Sequence, residues 1–113
     1  MKEKAMRDVI LAQLGALRAE AGVELVACKD ESVGDYLTGK ADALAVAMQM
    51  VESKALIESM VRFLRHEETR NMNMAASARL CSKDTMARLR EGAAAGYMAA
   101  SRVVTEIREM HKS

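Results

Sequence analysis

Asp35–Glu68, DYLTGKADALAVAMQMVESKALIESMVRFLRHEE, decides the fold of this chain. Glycine is absent from Lys40 to Glu91 and proline is absent throughout, so no residue here obliges the backbone to leave a helix once it has entered one. The centre, Ala43 to Val51, is apolar nearly all round. Leu37, Ala41, Leu44, Met48, Val51 and Ala55 mark one helical stripe, and Val46, Met50, Ile57, Met60 and Leu64 mark another. A helix with two apolar stripes has neighbours on two sides, which makes it the middle of a bundle.

Working outward, residues before this stretch carry a narrower signal. Met6, Ile10, Leu14, Leu17, Ala21 and Leu25 recur every three or four positions, predicting a first helix over about 2–27 with one apolar seam. Gly15 and Gly22 cost it about 1 kcal/mol each relative to alanine, unless a neighbour's close approach uses the missing side chain. Cys28 to Gly34 is the first connection, with Ser32 as the expected N-cap and Asp35 three residues on. So short a link joins antiparallel neighbours.

A second helix unbroken over about 35–68 is roughly 50 Å long. Either it bends near Glu52-Ser53-Lys54, where one stripe hands over to the other, or another subunit covers its far half. The second reading is the one taken here, because Leu56, Ile57, Met60, Val61, Phe63 and Leu64 form a broad apolar surface, with Met72 and Met74 close by. These eight are the candidate oligomer or partner interface, and Met60→Asp with Phe63→Asp is expected to dissociate the assembly. The polar run Arg65–Asn73 is the expected second connection, capped by Asn71 or Asn73, followed by a short helix over about 74–81. Ser82 or Asp84 then caps a last helix over about 84–111, whose stripe is Met86, Leu89, Ala93, Gly96, Ala100, Val103, Ile107 and Met110. Gly92, Gly96 and Ala100 stand four apart on it, a small-residue surface suited to close helix packing within the bundle.

Composition agrees with one domain over residues 1–113, an all-α helical hairpin extended to a three- to four-helix bundle and completed by oligomerisation. Half the residues are hydrophobic but only 3% are aromatic, so Leu, Val, Ile, Ala and ten methionines must fill the core. Methionine suits irregular core gaps and adaptable interfaces alike. No apolar run approaches the roughly 20 residues of a membrane span, and Glu3 and Asp8 stand where a secretory leader is basic. A soluble, cytoplasmic protein is expected, with Cys28 and Cys81 as buried, reduced thiols.

Chemistry-bearing motifs are sparse. His66 and His111 lack the glutamate three residues earlier that di-metal helical sites use, and Arg70 stands where a second zinc-ligand histidine belongs after His66-Glu67. No nucleophile elbow, phosphate-binding glycine loop or dinucleotide fingerprint occurs. The expectation is a protein without catalytic residues, metal or cofactor. Net charge is +1, with seven Lys or Arg against nine Asp or Glu in residues 1–56 and ten against seven in residues 57–113. Arg62, Arg65, Arg70, Arg79 and Lys83 are candidate phosphate contacts of a nucleic-acid-associated regulator. Interleaved Glu58, Glu67, Glu68 and Glu91 favour solvated faces and ion pairs between subunits instead.

The segment Asp35-Tyr36-Leu37-Thr38-Gly39-Lys40-Ala41-Asp42-Ala43-Leu44 resembles small helical accessory proteins of tailed bacteriophages. In them a tyrosine, a glycine three residues later and an Ala-Leu pair open the second arm of a helical hairpin. The resemblance implies that Gly39 lets the first helix pass closely while Tyr36 covers the hairpin end. It also implies a virion or assembly role, in the host cytoplasm or the particle, and carries over no catalytic residue. The function expected is therefore non-enzymatic: self-association and contact with another protein. The alternatives are the nucleic-acid-associated regulator and a small inhibitor of a host or defence enzyme.

Overall fold

The computed structural model describes residues 2–53 and 55–112. It is all-α, with four helices: α1 Lys2–Ala27, α2 Glu31–Glu52, α3 Ile57–Leu80 and α4 Asp84–Lys112. The apolar seam of α1 supplies Ile10, Leu14 and Ala21 to the core. Asp30, not Ser32, caps α2: its carboxylate accepts from the backbone N–H of Ser32 at 2.9 Å and of Val33 at 3.4 Å. Ser32 contributes its hydroxyl to the same carboxylate, at 2.6 Å.

The long central helix is broken, which corrects the expectation of a span over 35–68. α2 ends at Glu52, Ser53 is its C-cap, and α3 begins after Leu56 in extended conformation. Of the expected bend positions, Lys54 lies outside the described residues. No glycine or proline forces the break; tertiary packing does. Arg7 reaches over from α1 to donate to the Val51 carbonyl at 3.1 Å and to the Ala55 carbonyl, satisfying one acceptor in the last turn of α2 and one in the link after it. The turn lets Ile57, Met60, Val61 and Leu64 fold back into the core. Burying four such side chains is worth about 6–12 kcal/mol, against roughly 1 kcal/mol for each helical hydrogen bond given up.

α3 then runs on through the polar stretch where a connection was expected. Its seam there is Leu64, Asn71, Ala75 and Ala78, all buried, so residues 74–81 are no separate helix and Asn71 caps nothing. The third link is a tight one. Ser82 N–H donates to the Arg79 carbonyl and Lys83 N–H to the Ala78 carbonyl, the paired bonds of a Schellman ending, with Ser82 left-handed at φ 58°.

α4 is the shared neighbour of the other three helices, while α2 and α3 barely touch and α1 and α3 do not pack on one another. α1 lies antiparallel to α2, with Arg7 beside Val51 and Gly15 beside Met48. α3 lies antiparallel to α4, with Arg79 on Glu91 and Phe63 edge-on to Tyr97 at 6.5 Å. α2 and α4 run parallel with their backbones in contact: Gly92 faces the Tyr36 carbonyl and Gly96, four residues on, faces Lys40. Gly39 packs on Leu89 and Ala93 of α4, so the close approach assigned by resemblance to the first helix belongs to the last. Arg88 ties the start of α4 to α2, donating from Nε at 3.1 Å and Nη2 at 2.9 Å to one Asp35 oxygen.

Candidate functional site

Two surfaces of α3 follow from this arrangement, one on each side of its contact with α4. On the side away from α2, Met72 packs beside Ala94, Ala95 and Met98 in an open groove of about 290 Å³, with Glu68 and Glu91 at its edges. Met72 is 57% exposed and Met98 36%.

On the other side, where α2 and α3 fail to close, a notch of about 320 Å³ opens over α4. Gly39, Ala43, Val46, Leu89 and Ala93 line it with apolar surface, and Asp42, Arg70, Asn71, Arg90 and Tyr97 give it polar groups. Asn71 is buried and bonded at both ends of its amide: its Nδ2 donates to the Glu67 carbonyl at 2.7 Å, and its Oδ1 accepts from Arg90 Nη1 at 3.2 Å. Arg70 Nη1 is tied to the Glu67 carboxylate at 3.0 and 3.2 Å. Burial pushes the Tyr97 phenol above its ordinary pKa, the Glu67 carboxylate adds to the rise, and the guanidiniums of Arg70 and Arg90 oppose it.

The expected interface residues divide. Ile57, Met60, Val61 and Leu64 are buried in the chain's own core, so they offer nothing to a second molecule. This is a correction with a plain cause: α4 covers the apolar surplus for which another subunit was invoked. Leu56, Phe63 and Met72 remain exposed and Met74 half-buried. Gly92, Gly96 and Ala100 are all buried, the two glycines against α2.

Two of the five candidate phosphate contacts are already paired with carboxylates. Arg70 lines the notch and is paired with Glu67, Arg79 is paired with Glu91 on the opposite side, and Arg62, Arg65 and Lys83 are exposed. Cys28 is half-buried, its Sγ donating to the Asp30 carbonyl at 3.1 Å, and Cys81 is exposed, so neither is the buried thiol expected. Among the described residues no group of three His, Cys, Asp or Glu side chains is placed to hold a metal, and no helix is long and apolar enough to cross a membrane.

Asp42, Asn71 and Tyr97 were not singled out as site residues by sequence, and Arg90 was read only as sharing a basic face with Arg79 and Lys83. The four residues of the notch come from three helices; Arg90 and Tyr97 stand seven apart on one face of α4, but no spacing along the chain joins them to Asp42 or Asn71. The only advance signal was an asparagine and a tyrosine placed on helical faces otherwise filled by small apolar residues. No protein-family model, curated protein or solved structure matches this chain.

Proposed function

We propose that this is a non-enzymatic protein that works by contact with other proteins, a second copy of itself first among them, through the groove between α3 and α4. The observation that carries the reading is the pair of thioethers, Met72 and Met98, left uncovered over an alanine floor although the core beneath is complete. Flexible apolar side chains in an open groove suit an adaptable docking surface. The likeness of residues 35–44 to phage accessory proteins supports a structural or assembly role, in a host cell or in a particle. The nucleic-acid reading loses support, because two of its five cations are neutralised by glutamates.

The test is native mass against concentration, by light scattering and sedimentation. Wild type is expected at a multiple of 12.4 kDa. Met72→Glu with Met98→Glu is expected to return it to one copy with its helix content intact. The pair Met60→Asp and Phe63→Asp is no longer suitable, since Met60 has no exposed surface and its charge would unfold the chain. A wild-type protein that stays a single copy at high concentration would overturn self-association through this groove.

A further inference from the structure

The notch between α2, α3 and α4 holds an unusual charge arrangement. Arg70 and Glu67 cancel each other through their ion pair. Arg90 and Asp42 do not: they stand on different helices at the same notch, and among the described residues neither has an ionic partner. Arg90 is steadied by the neutral oxygen of Asn71, whose own amide is anchored on α3 backbone. Beside them Tyr97 is only 8% exposed, and its hydroxyl makes no hydrogen bond among the described residues. The Tyr97 ring is buried but its hydroxyl reaches the open notch, and Arg90 is half-buried, so the donors these groups do not spend within the chain are free to meet water or a ligand there.

We propose that the notch binds a small zwitterion with an apolar side chain, a free α-amino acid of about leucine's size, its carboxylate on Arg90 and the Tyr97 hydroxyl and its ammonium on Asp42. A simple anion would meet Asp42, and a simple cation would meet Arg90; a molecule carrying both charges satisfies each. Val46, Leu89 and Ala93 give the side chain apolar walls. The volume, about 320 Å³, lies at the lower end of the range of ligand sites, roughly 300–1,000 Å³, and suits a ligand smaller than a nucleotide. Asn71 acts as a positioning residue for Arg90. This inference is independent of the protein-contact reading, which uses the opposite side of α3.

The experiment titrates the full chain with L-leucine, L-leucinamide and 4-methylpentanoate, following amide chemical shifts and heats of binding. Leucine is expected to saturate, with shifts centred on residues 42, 46, 70, 71, 90 and 97. The amide lacks the carboxylate and the acid lacks the ammonium, so each is expected to bind at least about tenfold more weakly, the worth of one charged hydrogen bond. Arg90→Met and Tyr97→Phe should weaken leucine by a similar factor or more. Asp42 is exposed, so Asp42→Asn keeps the fold and should weaken leucine about tenfold without weakening 4-methylpentanoate. Absence of any shift at about 10 mM leucine, equal binding of either analogue, or undiminished leucine affinity in Asp42→Asn would overturn the proposal.

Discussion

Alanine substitutions at the glycines should change stability in opposite directions, and the structure fixes which way each goes. A Cβ built on Gly92 lies 1.9 Å from the Tyr36 carbonyl oxygen and one on Gly39 lies 2.0 Å from that of Leu89, where ordinary contact begins at 3.4 Å. The shortfalls are about 1.5 and 1.4 Å, and the obstructing atoms are backbone, so no rotamer change relieves them. α2 and α4 must separate, and a gap of 0.5–1 Å already forfeits about a quarter to a half of each contact's attraction. Overpacking at the upper end of its usual range costs about 3 kcal/mol, and better helix propensity returns about 1 kcal/mol. Each of Gly39→Ala and Gly92→Ala should therefore lose about 2 kcal/mol or more, a fall in Tm of about 8 °C for a chain this size. At Gly22 a Cβ meets nothing within 4 Å, and at Gly15 it meets only Met48 Cε at 3.6 Å. Gly22→Ala and Gly15→Ala should each gain about 1 kcal/mol and raise Tm by about 4 °C. Thermal and urea melts followed by far-ultraviolet circular dichroism measure all four. If Gly39→Ala and Gly92→Ala stay within about 0.5 kcal/mol of wild type, the two backbones do not touch and the arrangement of α2 on α4 is wrong.

Ser82→Gly should stabilise the α3–α4 turn by about 0.5–1 kcal/mol, because Ser82 holds φ 58° with a Cβ that disfavours it; the same melts test this, and a loss would mean its side chain has a compensating partner. Arg7→Met should cost about 2 kcal/mol by releasing the Val51 and Ala55 carbonyls, and hydrogen exchange should then show faster opening at the α2–α3 link than elsewhere. Tyr97 has its pKa raised above 10.0 chiefly by burial. The folded state therefore holds this proton more tightly than the unfolded one. The resulting stabilisation is complete below pH 10 and is lost as pH rises from there through the folded value. Tyr97→Phe should remove this part of the alkaline decline, and alkaline melts of the two proteins that fall in parallel would refute the assignment.

What the sequence made legible, and what it hid, follows from the contrast between buried and exposed residues. α1 was legible because Ile10, Leu14 and Ala21 stand at helical spacing against charged neighbours. The second half of α3 was not, because its buried positions include Asn71, Ala75 and Ala78, too polar or too small to stand out from exposed Arg65, Thr69 and Asn73. The only local mark of the break between α2 and α3 was the handover of stripes near Glu52-Ser53-Lys54, which a second subunit explained equally well, because Arg7, which holds the turn, lies more than 40 residues away. Gly39 could be seen to need a close neighbour but not which one. For the same reason the notch was invisible: Asp42 from α2 and Asn71 from α3 meet Arg90 and Tyr97 of α4 only once the chain is folded.

The seam of glycines and the notch are two consequences of one packing choice. In an up-down-up-down bundle with even spacing, the parallel helices stand on the diagonal, and each antiparallel neighbour touches the next. Here Gly39, Gly92 and Gly96 draw the parallel pair α2 and α4 together until their backbones meet. α3 must still lie along α4 to bury Met60, Val61 and Leu64, so it can no longer close against α2, and a gap is left between them. Polar residues at that gap are therefore tolerated in a layer that a square bundle would fill with leucine, and Asn71 and Tyr97 occupy it at almost full burial. A substitution that pushes α2 off α4 should narrow the opening from the other side, so Gly39→Ala is expected to disturb the notch as well as the melting temperature, although Gly39 carries no polar atom of its own beyond the backbone.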